Sequence, residues 1–165
     1  RHAVTPKPGS SMARVADAAA ALGLSIELKV MEQSTRTAED AARACGCHVG
    51  QIVKSLVFED AANGALALLL VSGGHNADLE FISDCYGLTL KRCDGRRVRD
   101  ETGFAIGGVA PIGHLAPIPI YMDTTLLDYE TVWAAAGRPD SVFSVDPNAL
   151  AKAIDAEKID VVPKP

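Results

Sequence analysis

Residues 52–71 organise the rest of this chain, and they read Ile-Val-Lys-Ser-Leu-Val-Phe-Glu-Asp-Ala-Ala-Asn-Gly-Ala-Leu-Ala-Leu-Leu-Leu-Val. Both ends of this stretch are apolar, and Asn63-Gly64 between them is a strong signal for a chain reversal. The stretch therefore predicts a β-hairpin in the middle of the core, with strands over 52–58 and 65–71.

Helices and strands alternate irregularly on both sides of the hairpin. Apolar spacing and capping residues predict helices over 12–22, 38–44, from Asn76 or Asp78 to about Tyr86, 94–102 and 148–154. Strand patterns fall at 26–30, 88–92, 118–123, 141–145 and 159–162, with a turn around Asp128 and a compact segment over 131–136. Because there is no strict βαβ repeat, the pattern favours a mixed sheet or barrel with helices around it.

The composition indicates one domain over residues 1–165, of which 1–10, rich in proline, form a loose N-terminus. The net charge of −5 argues against a protein that coats nucleic acid by bulk charge. Four cysteines are too few for a disulfide scaffold, and no apolar run approaches the roughly 20 residues of a membrane span. We expect a cytoplasmic protein that does not enter a membrane.

A basic cluster occupies residues 91–99, where five of the sixteen Lys and Arg residues lie. Such a cluster can contact a phosphate backbone even in an acidic protein. The alternative is a solvated basic face with no ligand.

The second feature that indicates a binding site is the run Thr102-Gly-Phe-Ala-Ile-Gly-Gly-Val-Ala-Pro-Ile-Gly-His114. Paired glycines weaken a helix and Pro111 removes a backbone donor, so this run predicts a shaped loop. Bare backbone N–H groups in such a loop suit an anionic or carbonyl-bearing ligand. A tight connection without a ligand remains the alternative.

Lys54 is the most conspicuous single residue, because strand alternation places it on the same face as Ile52, Leu56 and Phe58. An ammonium in a strand with two apolar faces is costly unless it meets a carboxylate, a phosphate, a polar backbone group or water. The alternative is a lysine that reaches solvent or protects an edge strand.

Other chemistries have little support in this sequence. Cys45-Gly-Cys-His48 lacks the spacing and the second ligand pair of a zinc site, so no metal or other cofactor is expected. The signatures of serine hydrolases, phosphate-binding loops and zinc metalloproteases are missing. His75 and His114 each follow glycines, and both are candidates to border one end of the sheet.

Three segments occur in one order: Thr35-Arg-Thr-Ala-Glu-Asp-Ala-Ala42, Gln51-Ile-Val-Lys-Ser-Leu-Val-Phe58 and Gly107-Gly-Val-Ala-Pro-Ile-Gly-His114. With them the chain resembles the YbaK-type aminoacyl-tRNA deacylases, which include the prolyl-tRNA editing domains and their free-standing relatives. The resemblance runs from about Ile26 to Leu150. It implies an α+β fold with a mixed, barrel-like sheet surrounded by short helices.

The same resemblance implies hydrolysis of the ester that joins a wrong amino acid to a tRNA, with tRNA(Pro) the expected carrier and prolyl-tRNA synthetase a possible partner. Lys54 matches the lysine of the family's pocket, and residues 107–111 match its G-x-x-x-P element, whose backbone contacts the aminoacyl group. The family is not known for a side-chain nucleophile, so water is the expected attacking group. The alternatives are a binding module of the same fold without catalysis and a small-molecule ester or amide hydrolase.

The resemblance also implies a set of site residues. The catalytic group is Lys54, Gly107, Gly108, Ala110 and Pro111. The substrate-binding group is Thr35, Ser55, Ser72, Val109, Gly113 and His114. The basic cluster adds Lys91, Arg92, Arg96 and Arg97 as contacts for acceptor-stem phosphates.

Overall fold

The structure is a computed structural model that describes residues 2–3, 5–33 and 35–165, the first pair by backbone alone. These residues form nine strands and five helices, in the order β1 (His2–Ala3), α1 (Ser11–Leu22), β2 (Glu27–Val30), α2 (Ala38–Cys45), β3 (Ile52–Asp60), β4 (Leu66–Ser72), α3 (Leu79–Tyr86), β5 (Leu90–Arg92), α4 (Gly95–Thr102), β6 (Ile120–Asp123), β7 (Val132–Ala135), β8 (Ser141–Val145), α5 (Pro147–Ala153) and β9 (Glu157–Ile159). Short 3-10 turns precede β3 and follow β6.

All nine strands belong to one mixed sheet, in the order β1-β2-β8-β7-β3-β4-β6-β9, with β5 paired to β3 beside this path. The hairpin β3–β4 is antiparallel and lies at the centre. β7 runs parallel to β3, and β6 runs parallel to β4. The predicted α+β fold with a mixed sheet and short helices is therefore confirmed.

Local capping signals explain where the helices begin and end. The Ser10 hydroxyl accepts from the third amide of α1, the Thr37 hydroxyl does the same for α2, and the Asp78 carboxylate does so for α3. Gly23 and Gly46 end the first two helices in the left-handed region, at φ of 70° and 69°. These helices match their predicted ranges to within a residue or two.

The ranges of several strands need correction. Residues 131–136, predicted only as a compact segment, contain strand β7. The last strand occupies 157–159 rather than 159–162, because the exposed Glu157 and Lys158 pair with β6. β5 begins at Leu90 rather than at 88, β6 begins at 120 rather than at 118, and β3 continues to 60 rather than ending at 58. Pairing with a neighbouring strand, which leaves no local apolar pattern, sets these boundaries.

Every residue of β4 is buried, so the central strand separates two apolar layers. Leu68 and Leu70 pack into the larger cluster, with Phe104 and Phe143, whereas Leu69 faces the smaller cluster around α3. The buried β4 explains the uninterrupted apolar run in the sequence. No helix in the described part of the chain is long and apolar enough to cross a membrane.

Candidate active site

A cavity of about 490 Å³ lies against β3 and is largely apolar. Its walls come from the segment before α2, from β3, from β7 and β8, and from the glycine-rich loop. The lining includes Thr35, Arg36, Ile52, Lys54, Ser55, Val57, Arg92, Ile106, Gly107, Val109, Trp133, Pro139 and Val142. Segments far apart in the sequence therefore meet at one strand.

The cavity coincides with a gap in the sheet. On the side of β3 away from β4, β7 pairs only with residues 52–53 and β5 pairs only with residues 58–60. Residues 54–57 therefore have no neighbouring strand on that side among the described residues. β3 is a central strand at its two ends and an edge strand in its middle.

The register of the hairpin tells which main-chain groups face the gap. The amide of Gly73 donates to the Ile52 carbonyl, and the amide of Asp60 donates to the Ala65 carbonyl, so even-numbered residues of β3 bond to β4. Alternation then turns the N–H and C=O of Ser55 and the N–H of Val57 toward the gap. The Ser55 Oγ is also buried without a hydrogen-bond partner. Unpaired polar groups in a partly buried recess are suited to a polar ligand.

Lys54 is half-buried at the cavity wall, and its ammonium donates to the main-chain carbonyl of His75. Burial lowers the pKa of Lys54, while the negative charges of Glu39 and Asp123 act in the opposite direction. The lysine is therefore held by one carbonyl beside the open edge of β3.

His75 is itself anchored. Its Nδ1 lies 2.9 Å from Oδ2 of Asp123, whose side chain is only 1% exposed. The same carboxylate accepts from the amides of Ser72 and Thr125, each at 3.0 Å. A buried carboxylate thus connects the end of β4, the end of β6 and the turn that contacts Lys54.

The glycine-rich loop is shaped by contacts from outside it. The guanidinium of Arg14, on α1, donates to the carbonyls of Gly103 and Gly113 at 2.5 and 3.3 Å and lies 4.7 Å from the Phe104 ring centroid. The Nε2 of His114 lies 2.7 Å from the Ala110 carbonyl, and burial lowers the pKa of this histidine. These contacts hold both ends and the middle of the loop.

The two central glycines of the loop have different surroundings. Gly107 lines the cavity with φ of 95°, a conformation that glycine adopts without strain. A Cβ on Gly108 would lie 3.3 Å from the backbone of Arg138 rather than in the cavity. A side chain at Gly108 would therefore press on the Arg138 backbone and would not fill the cavity.

The structure brings together part of the predicted site. The predicted residues that line the cavity are Thr35, Lys54, Ser55, Arg92, Gly107 and Val109. Those that lie in the loop behind this lining are Gly108, Ala110, Pro111, Gly113 and His114. Ser72 is buried elsewhere, where its hydroxyl donates to the Gly50 carbonyl at 2.7 Å.

The basic cluster divides into paired and exposed members. Lys91 and Arg97 both form ion pairs with Glu59, and Arg97 also pairs with Glu101. Arg92 and Arg96 are exposed, and Arg92 reaches the cavity rim. Lys91 and Arg99 are exposed as well, so Arg92 differs from the other basic residues of the cluster in lining the cavity.

Sequence reasoning missed three residues that shape this site. Trp133 lines the cavity, but it sits in a strand too short to be recognised. Arg14 and Asp123 act from distant elements, and their sequence neighbourhoods carry no motif. The described residues contain no group of three or more His, Cys, Asp or Glu that is arranged to hold a metal ion.

Residues 32–153 match the family model described as an aminoacyl-tRNA editing domain. The chain belongs to this family. This agrees with the resemblance drawn from the three motifs, and it gives the site a context of aminoacyl-tRNA editing. The editing-domain protein is also similar to solved structures and to curated relatives.

One similar solved structure is described as a candidate trans-editing enzyme for prolyl tRNA synthetase. Its sequence is 40% identical, the match covers 97% of this chain and 100% of the solved chain, and the TM-score is 0.86. The uncharacterized protein YwhH of Bacillus subtilis is 29% identical over 73% of this chain and 76% of its own length. A candidate Cys-tRNA(Pro)/Cys-tRNA(Cys) deacylase, EbsC of Enterococcus faecalis, is 24% identical over 78% of each chain.

Proposed function

We propose that this editing-domain protein hydrolyses the ester of mischarged aminoacyl-tRNA in the cytoplasm, with tRNA(Pro) carrying a wrong amino acid as its substrate. The observation that carries the proposal is the gap in the sheet at residues 54–57, where unpaired main-chain groups lie beside a lysine in one cavity. Membership of the editing-domain family and the named relatives support the same substrate class.

The proposed reaction needs no side-chain nucleophile. A water molecule attacks the ester carbonyl carbon, and the negative charge that develops on the carbonyl oxygen is stabilised by amides of the open edge and of the Gly107 segment. The bond between that carbon and the ribose oxygen then breaks, and the ribose oxygen takes a proton from the attacking water. The products are the free amino acid and the tRNA with its 3′-terminal hydroxyl restored. Positioning suffices because aminoacyl esters are already reactive.

The polar and apolar walls of the cavity bind different parts of the substrate. The Lys54 ammonium holds the terminal nucleotide, whose phosphate is the complementary charge. The aminoacyl side chain packs against Ile52, Trp133 and Val142. Exposed Arg92 and Arg96 contact acceptor-stem phosphates, a role for which the paired Arg97 is less free.

The test is deacylation of a panel of mischarged tRNAs by the wild type, by Lys54→Met and by a control, Lys158→Met, at an exposed position on β9. We expect Lys54→Met to lose at least about 10-fold in kcat/KM, because the substrate loses a positioning contact. The variant should unfold no more easily than the wild type, because burial already disfavours the charge of the Lys54 ammonium. We expect the control to match the wild type in both respects.

Two outcomes would contradict this proposal. If the wild type hydrolyses no aminoacyl-tRNA faster than buffer does but binds a non-hydrolysable 3′-aminoacyl adenosine, the protein is a binding module. If full-length tRNA does not compete with small esters for turnover, the protein is a small-molecule hydrolase. If Lys54→Met retained full activity, the lysine would have no role in binding the substrate.

A further inference from the structure

We propose that His75, anchored by the buried Asp123, is the positioning residue for Lys54. This inference rests on the proposed function, in which the Lys54 ammonium contacts the substrate. His75 acts through its main-chain carbonyl, which accepts the ammonium, while its ring fixes the turn that carries this carbonyl.

The contacts form one continuous path from the sheet interior to the cavity. Asp123 is fixed at the end of β6, where the Thr125 amide donates to its Oδ1 at 3.0 Å. Its Oδ2 meets the His75 ring, and because a carboxylate only accepts, the ring nitrogen Nδ1 carries the proton. The carbonyl of the same histidine then holds the Lys54 ammonium. A displacement of the ring is therefore transmitted to the lysine.

The turn that carries His75 is tightly packed at its start, at Gly73, and loosely packed at Gly74, just before the histidine. Gly73 and Gly74 precede His75, and glycine has the greatest backbone freedom of any residue. Within the turn, the His75 amide donates to the Ser72 carbonyl at 2.9 Å. Gly73 also packs so closely that an added Cβ would lie 2.4 Å from the Val49 carbonyl oxygen. The ring contact with Asp123 supplies the anchor at the end of the turn that Lys54 touches.

The fold does not depend on this histidine. The His75 side chain is 27% exposed, and without it Asp123 keeps two main-chain donors, the amides of Ser72 and Thr125. Removal of the ring therefore leaves no buried carboxylate without a partner. A variant at His75 should fold normally and differ in the placement of Lys54.

The experiment compares His75→Ala and His75→Asn with the wild type and with His48→Ala, at an exposed histidine. The asparagine amide can donate to Asp123 from nearly the position of Nδ1. We expect His75→Ala to lower kcat/KM for mischarged tRNA about 10-fold, His75→Asn to restore it to within about threefold, and His48→Ala to match the wild type. In a Lys54→Met background, His75→Ala should have no further effect, because the two residues act as one unit.

A second measurement does not depend on activity. The ¹⁵N signal of the Lys54 ammonium, retained by its hydrogen bond, should be visible in the wild type and in His75→Asn and lost in His75→Ala. The inference is overturned if the signal persists in His75→Ala, or if this change is equally damaging with and without Lys54. If no variant, including the wild type, deacylates tRNA, the proposed function fails while the ammonium signal still tests the contact.

Discussion

Replacement of Arg14 by methionine should loosen the glycine-rich loop, because this one side chain holds both loop ends. The guanidinium donates to the carbonyls of Gly103 and Gly113 and lies over Phe104. A hydrogen bond from a charged donor contributes about 1.5–3 kcal/mol, and a cation–π contact about 0.5–1 kcal/mol at an exposed site. Because Arg14 is only partly buried and its bond to Gly113 is long, we expect a loss of about 2–3 kcal/mol.

Urea unfolding, followed through the fluorescence of the single tryptophan, measures this loss. For a chain of this length the midpoint of thermal unfolding should fall by roughly 4–12 °C. Methionine retains an unbranched apolar stem over Phe104, so the change removes mainly the charge and the donors. Arg14→Lys retains the charge with fewer donors and should lose about half as much.

The matched control is Arg43→Met, since Arg43 is 70% exposed and its pair with Asp40 lies on the surface. We expect that variant to stay within about 0.5 kcal/mol of the wild type. A loss below about 1 kcal/mol in Arg14→Met would refute the reasoning, since it would mean that water satisfies the two loop carbonyls equally well.

Two further changes test the loop. Gly108→Ala should lower the free energy of unfolding by about 1 kcal/mol and reduce deacylation, because the new Cβ presses on the Arg138 backbone 3.3 Å away; an unchanged melting curve would contradict this close packing. His114→Gln should make the free energy of unfolding less dependent on pH. Burial lowers the pKa of His114 in the folded state below its usual 6.5, so the unfolded chain binds more protons than the folded chain does in this range. The wild type should therefore lose stability as the pH drops below about 6.5, and the variant should lose less. Urea midpoints between pH 7.5 and 5 measure this, and an equal decline in both proteins would exclude His114 as its cause.

Local signals in the sequence predicted the helices and the hairpin, and non-local pairing accounts for what was missed. Thr37 and Gly46 bracket α2 by capping chemistry alone, which depends only on nearby residues. The gap beside β3 depends on where β7 and β5 stop, and no feature near Lys54 encodes either boundary. The same holds for Gly108, whose neighbour Arg138 is 30 positions away in the chain. Motifs indicated which segments matter, and tertiary structure determined which atoms face the cavity.

An exposed strand edge normally invites pairing with another chain, and proteins protect such edges with charges, bulges or short strands. The interrupted edge of β3 has a different protection, because β7 and β5 flank it and leave only residues 54–57 open. A foreign strand that paired there would run into one or the other of them after a few residues. The molecule thereby keeps main-chain groups that are accessible to a small ligand without offering a template for aggregation.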